Sequence, residues 1–66
     1  MKKVFEFRTD NDYRVSLSCY EEDDEKKFVL MTRDPKGMAV AVRVEPTDAA
    51  GLASAIYDQL PESVIH

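Results

Sequence analysis

The sequence predicts an α+β domain: a four-stranded antiparallel meander sheet with one C-terminal helix packed across one face. Three observations predict it. Stretches near 2–9, 13–21, 26–34 and 38–45 alternate apolar and polar residues, as half-buried strands do, and are rich in Val, Phe, Tyr and Thr. The breaks between them are short and carry turn residues. Beyond them, Ala49, Leu52, Ala53, Ile56 and Leu60 fall at helical spacing.

In the first strand Phe5 and Phe7 alternate with Glu6 and Arg8. A three-residue turn at Asp10-Asn11-Asp12, where Asn11 or Asp12 tolerates the left-handed conformation, sets Phe7 opposite Val15 and Phe5 opposite Leu17. The same register puts Arg8 opposite Arg14. A tight turn at Asp23-Asp24 would pair Glu21 with Lys26, Cys19 with Phe28 and Leu17 with Leu30. Asp-Asp suits a two-residue turn less well than Asn-Gly, so a wider loop is the competing expectation. Asp34-Pro35-Lys36-Gly37 reads as a type I turn followed by a glycine able to take positive φ. With Asp34 opposite Met38, Thr32 faces Val40, Leu30 faces Val42 and Phe28 faces Val44. Slipping that register by one residue would set Phe28 against Arg43 and mix the two faces.

The helix is expected to start with Thr47 as N-cap, Pro46 just before it and Asp48 in the first turn. Pro61 should stop it after Leu60. Gly51 lies inside the helix, where it costs about 1 kcal/mol relative to Ala, and close packing on the sheet is its expected reason.

Composition bounds the function. The chain has 66 residues, 33% charged and 44% hydrophobic, which is one small globular domain over 1–66. No apolar run approaches the roughly 18 residues of a membrane span, and the start carries no apolar signal segment. The single Cys19 cannot staple the fold, and a reducing compartment, the cytoplasm, is expected. The one histidine, His66, is the last residue, so neither a Cys/His metal set nor a base for Ser16 or Ser18 is present. Gly37 and Gly51 are the only glycines, which excludes glycine-rich phosphate loops. The acidic run Glu21–Glu25 lacks the glycine and ligand spacing of an EF-hand. The expectation is therefore a protein that is not an enzyme and holds no metal or cofactor.

Two surfaces stand out. On the inner face, apolar residues from Phe5 to Val44 await cover. One helix, about 21 Å long and 10 Å wide, shields only about half of a four-stranded sheet. A homodimer would cover the rest, and Val64 and Ile65 could join that contact or fold back on the sheet. On the outer face, strand parity gathers all four arginines, Arg8, Arg14, Arg33 and Arg43, with Val4, Glu6, Ser16, Ser18, Tyr20, Lys27, Val29, Met31, Ala39 and Ala41. An exposed face needs polar residues whatever its role, and arginine stems cover apolar surface. Even so, Arg8 opposite Arg14 costs stability unless an anion or acid relieves it. An arginine rim around small and apolar residues also has the composition of interface cores. The candidate partner-binding residues are Arg8, Arg14, Tyr20, Val29, Met31, Arg33 and Arg43.

The expected function is a small non-enzymatic interaction module, an accessory or regulatory protein of a size common in bacteria and phages. It would act as a homodimer and bind a protein partner through the arginine-bearing face or the acidic hairpin loop. The ββββα order is similar to that of the PC4-like transcriptional coactivator domains. That resemblance is one of topology over the whole chain, and it implies dimerisation through the helix and single-stranded nucleic-acid binding on the sheet. Single-strand binders use a cationic groove with exposed aromatics. A net charge of -4, with Tyr20 the only aromatic assigned outward, ranks that alternative second.

Overall fold

The computed structural model describes residues 1–65 and shows four strands followed by a long helix. The strands β1 (Lys2–Arg8), β2 (Arg14–Glu22), β3 (Glu25–Arg33) and β4 (Ala39–Val44) form one antiparallel sheet in chain order, the expected meander. α1 (Pro46–Gln59) follows, then a single turn, α2 (Glu62–Ile65). His66 lies outside the described residues.

Each hairpin takes the register its apolar pattern favours. Phe5 pairs with Leu17, Phe7 with Val15 and Arg8 with Arg14. In the connecting turn Asp12 takes the left-handed conformation (φ 68°), and the Thr9 N–H donates to the Tyr13 carbonyl at 2.8 Å. Leu17 pairs with Leu30 and Cys19 with Phe28. The β2–β3 connection is the tight form, with φ of 53° at Asp23 and 64° at Asp24, the left-handed pair a two-residue turn of this hand requires. Phe28 pairs with Val44, Leu30 with Val42 and Thr32 with Val40. Asp34 organises that last turn: its Oδ1 accepts from the Lys36 and Met38 N–H groups, and Gly37 takes φ 96°.

Three local expectations are corrected. The N-cap of α1 is Glu45, not Thr47. Pro46 occupies the first helical turn, where its fixed φ is preorganised and its missing N–H costs nothing. No side chain caps the start; the Glu45 carbonyl accepts from the Ala49 N–H at 2.8 Å. At the other end Leu60, held extended by Pro61, closes the helix by donating its N–H to the Tyr57 carbonyl at 3.2 Å.

The second correction is a β-bulge in β1 between Lys3 and Phe5, which aligns Lys2 with Cys19 and Lys3 with Ser18. One extra residue there shifts the alternation, so Lys3 joins the outer face. The third concerns Gly51, where an added Cβ would meet no atom within 4 Å. Close packing does not explain that glycine.

Of the sheet, α1 packs chiefly on β3, and no residue of the helix is buried. Among the described residues only Cys19 and Ser16 are buried, at 8% and 4% exposure. The inner face is covered along its centre and open at its flanks. Val64, just past the proline, is exposed and does not fold back. The molecule is a thin slab of 38 × 33 × 15 Å.

Candidate partner-binding face

The outer face follows from the register. Arg8 pairs with Arg14 across β1 and β2, and Arg14 pairs with Arg33 across β2 and β3. Three guanidinium side chains therefore start from one transverse row, about 4.5–5.5 Å apart at each step. Arg33 is paired in turn with the small Ala39. The row lies at the end of the sheet that carries the 9–13 and 34–38 turns, and those turns shape its surroundings. Arg8, Asp12, Arg14, Arg33, Asp34 and Gly37 line a surface indentation of about 180 Å³. A second one, about 130 Å³, is lined by Lys3, Glu6, Arg14, Ser16, Met31 and Arg33. Arg14 and Arg33 border both.

Internal carboxylates neutralise this row only in part. Arg8 reaches Asp12 at 3.5 Å, between two largely exposed side chains, a contact worth at most about 1 kcal/mol. Arg33 donates to the Gly37 carbonyl at 2.9 Å, a bond that positions the guanidinium without cancelling its charge. Arg14 makes no ion pair and no side-chain hydrogen bond among the described residues. Glu6, the nearest acid expected from the sequence, accepts instead from Lys3 Nζ at 3.0 Å. That hydrogen bond is the main reason the Glu6 carboxyl is held below the usual glutamate range. Desolvation, second in size, opposes it, and the charges of Lys3, Arg14 and Arg8 each add a smaller effect in the lowering direction.

The far end of the face is different. Lys27 bridges Glu25 at 3.1 Å and Glu45 at 2.7 Å, and these hydrogen bonds, Glu45 first, raise its pKa well above the ordinary lysine range. Glu45 is the residue that begins α1, so this ammonium ties the helix start to β3. Arg43 donates from Nε to the Tyr20 hydroxyl at 3.0 Å, lies 5.8 Å from the ring centroid, and reaches Glu22 at 3.5 Å. Those cations are already satisfied.

The seven residues expected to act together are thus divided. Arg8, Arg14 and Arg33 form a cluster, with Met31 bordering it. Val29, half-buried like Met31, pairs with Arg43 on the way to the Tyr20 end. Tyr20 and Arg43 engage each other. The acidic turn at Asp23-Asp24 lies beyond Tyr20; from Arg14 to Glu22 along β2 is roughly 27 Å. The arginine row and the acidic loop are therefore separate surfaces. Lys3 is the contributor that sequence reasoning missed: Lys2-Lys3-Val4 offers no alternation from which to read a bulge. No group of three or more metal-ligating side chains occurs among the described residues, and no helix there is long and apolar enough to cross a membrane.

The chain matches no family of known proteins, no curated protein and no solved structure.

Proposed function

We propose that this protein is a small non-enzymatic interaction module that acts as a homodimer and binds a protein partner through the Arg8–Arg14–Arg33 end of its outer sheet face. The carrying observation is the row itself: three arginines at directly opposed positions, with Arg14 making no ion pair among the described residues. Like charges facing each other across strands destabilise a sheet, and a partner carboxylate that accepts from two neighbouring guanidinium groups would remove that cost. Half-buried Met31 and small Ala39 and Ala41 beside the row supply the flat apolar contact typical of interface cores. The indentations beside the arginines are small against the roughly 300–1,000 Å³ of ligand pockets, which favours a surface contact over a substrate site. The buried free thiol of Cys19 is compatible with a cytoplasmic, reducing setting.

A single-stranded nucleic acid would use the same cations and is the second reading. It is less favoured because Tyr20, the aromatic on this face, is already engaged by Arg43. Single-strand binders need free aromatic rings on which bases stack.

The test uses immobilised full chain and an Arg14→Glu/Arg33→Glu double variant, compared in capture from the native host. A protein retained by the first and lost from the second, with circular dichroism unchanged, supports the proposal. Equal retention by both refutes it. Binding of a labelled oligonucleotide that weakens steeply with salt would move the reading to nucleic acid.

A further inference from the structure

The inner sheet face is too apolar and too open for a finished surface. Phe5 is 61% exposed and Val40 64%, while Phe7, Val42, Leu52 and Ile56 also stand in solvent. No side chain is fully buried among the described residues. The accessible area is 5537 Å². A compact monomer of this mass would expose about 4,200 Å², so roughly 1,300 Å² is in excess. The radius of gyration, 13.6 Å, exceeds the about 11 Å expected for this length in the same sense.

We propose that a second copy of this chain covers the inner face, the two sheets and their α1 helices meeting about a two-fold axis. This names the surface for the self-association in the reading above and rests on that part of it. The excess area exceeds the about 800 Å² each partner buries in a standard interface and falls in the range of obligate homodimers. Self-complementarity follows from composition. The charged residues of this face, Lys2, Glu21 and Lys26, lie at its Asp23-Asp24 end, and the exposed residues from Phe5 and Phe7 to Val40 and Val42 are uncharged. A two-fold axis places the same apolar patch on both sides.

A bound apolar small molecule fits less well. The groove between α1 and the sheet, about 480 Å³ and lined by Leu17, Phe28, Leu30, Ala49, Ala53 and Ile56 among others, has the size for one. Phe5, Phe7, Val40 and Val42 are not part of that lining, so filling it would leave them wet. A second copy reaches them. Pairing through inner faces also leaves both arginine rows free, on opposite sides of the dimer, so each dimer presents two partner sites.

Sedimentation equilibrium of the full chain, with thermal unfolding from about 2 to 200 µM, tests this. The expected mass is twice that of the 7.5 kDa chain, and Tm rises with concentration because association stabilises only the folded state. Val40→Lys should shift the equilibrium toward monomer or unfold the dilute protein, while Arg14→Glu leaves the mass unchanged. A monomer at 200 µM with a concentration-independent Tm overturns the inference, as does a dimer whose mass and Tm ignore Val40→Lys. So does a monomer that releases an apolar molecule on denaturation, detected by mass spectrometry. A monomer that still captures a partner through its arginines sinks this inference and leaves the outer-face reading standing. A dimer that captures nothing does the reverse.

Discussion

Arg14 stands directly opposite Arg33 in the β2–β3 ladder, and neither forms an ion pair with a carboxylate among the described residues. Opposed like charges cost a sheet a few tenths to about 1 kcal/mol. Arg14→Thr should therefore raise stability by about 0.5 kcal/mol in urea unfolding at low ionic strength, with the gain shrinking as salt screens the wild-type repulsion. Partner capture should fall in the same variant. Loss of stability would mean that the Arg14 stem holds the sheet together.

Lys27 gives a prediction of opposite sign. Its ammonium lies between Glu25 on its own strand and Glu45 at the start of α1. Removing it in Lys27→Gln should loosen the helix from β3, read as faster hydrogen exchange at α1 amides with exchange in β2 unchanged. The folded pKa is raised, so the stabilisation is fully present below the ordinary lysine value and is lost as pH rises through the folded one. The stability gap between wild type and variant should stay constant from about pH 6 to 9 and narrow only above about pH 10.4. A gap that closes near neutrality would assign the effect to another group.

The registers of the first and last hairpins were legible because two independent signals agree at each, whereas at Asp23-Asp24 the apolar pairing alone pointed to the tight turn. At the last turn, Asp34, Pro35 and Gly37 define the geometry, and the same pairing sets Phe28, Leu30 and Thr32 against Val44, Val42 and Val40. The Arg8–Arg14–Arg33 row is a direct consequence of that register. What failed depends on contacts remote in sequence or on backbone irregularity. Thr47 looks like a cap, but Pro46 fits the first turn, and the Glu45 side chain is taken by Lys27, eighteen residues earlier. The bulge at Lys3 leaves no trace in the alternation. Parity alone put Arg43 on the face with the other arginines, but the register sets it beside Val29 at the Tyr20 end, and its hydrogen bond to Tyr20 there is a side-chain choice that the alternation does not carry.

The Asp23-Asp24 turn carries a local cost that substitution should recover. Both residues hold positive φ, which an L side chain adopts at some expense and glycine does not. Asp23→Asn with Asp24→Gly should stabilise the protein by about 1 kcal/mol. It should leave capture through the arginine row unchanged, because that row is at the other end of β2. If capture is lost although the fold is more stable, the acidic loop contacts the partner.

Gly51 offers the last test. It sits inside α1 with open space where a Cβ would project, and its φ needs no glycine. Helix propensity alone then predicts that Gly51→Ala stabilises by about 1 kcal/mol, seen as a higher urea midpoint at an unchanged slope. Within the proposed dimer the prediction gains a second use. Ala49, Leu52, Ala53 and Ile56 mark the helix face toward the groove, and Gly51 lies off that stripe. A dimer built through the inner faces should therefore accept the methyl group without loss of association. If Gly51→Ala instead weakens the dimer while leaving the monomer folded, the outer side of α1 is packed against the second copy, and the contact runs helix against helix.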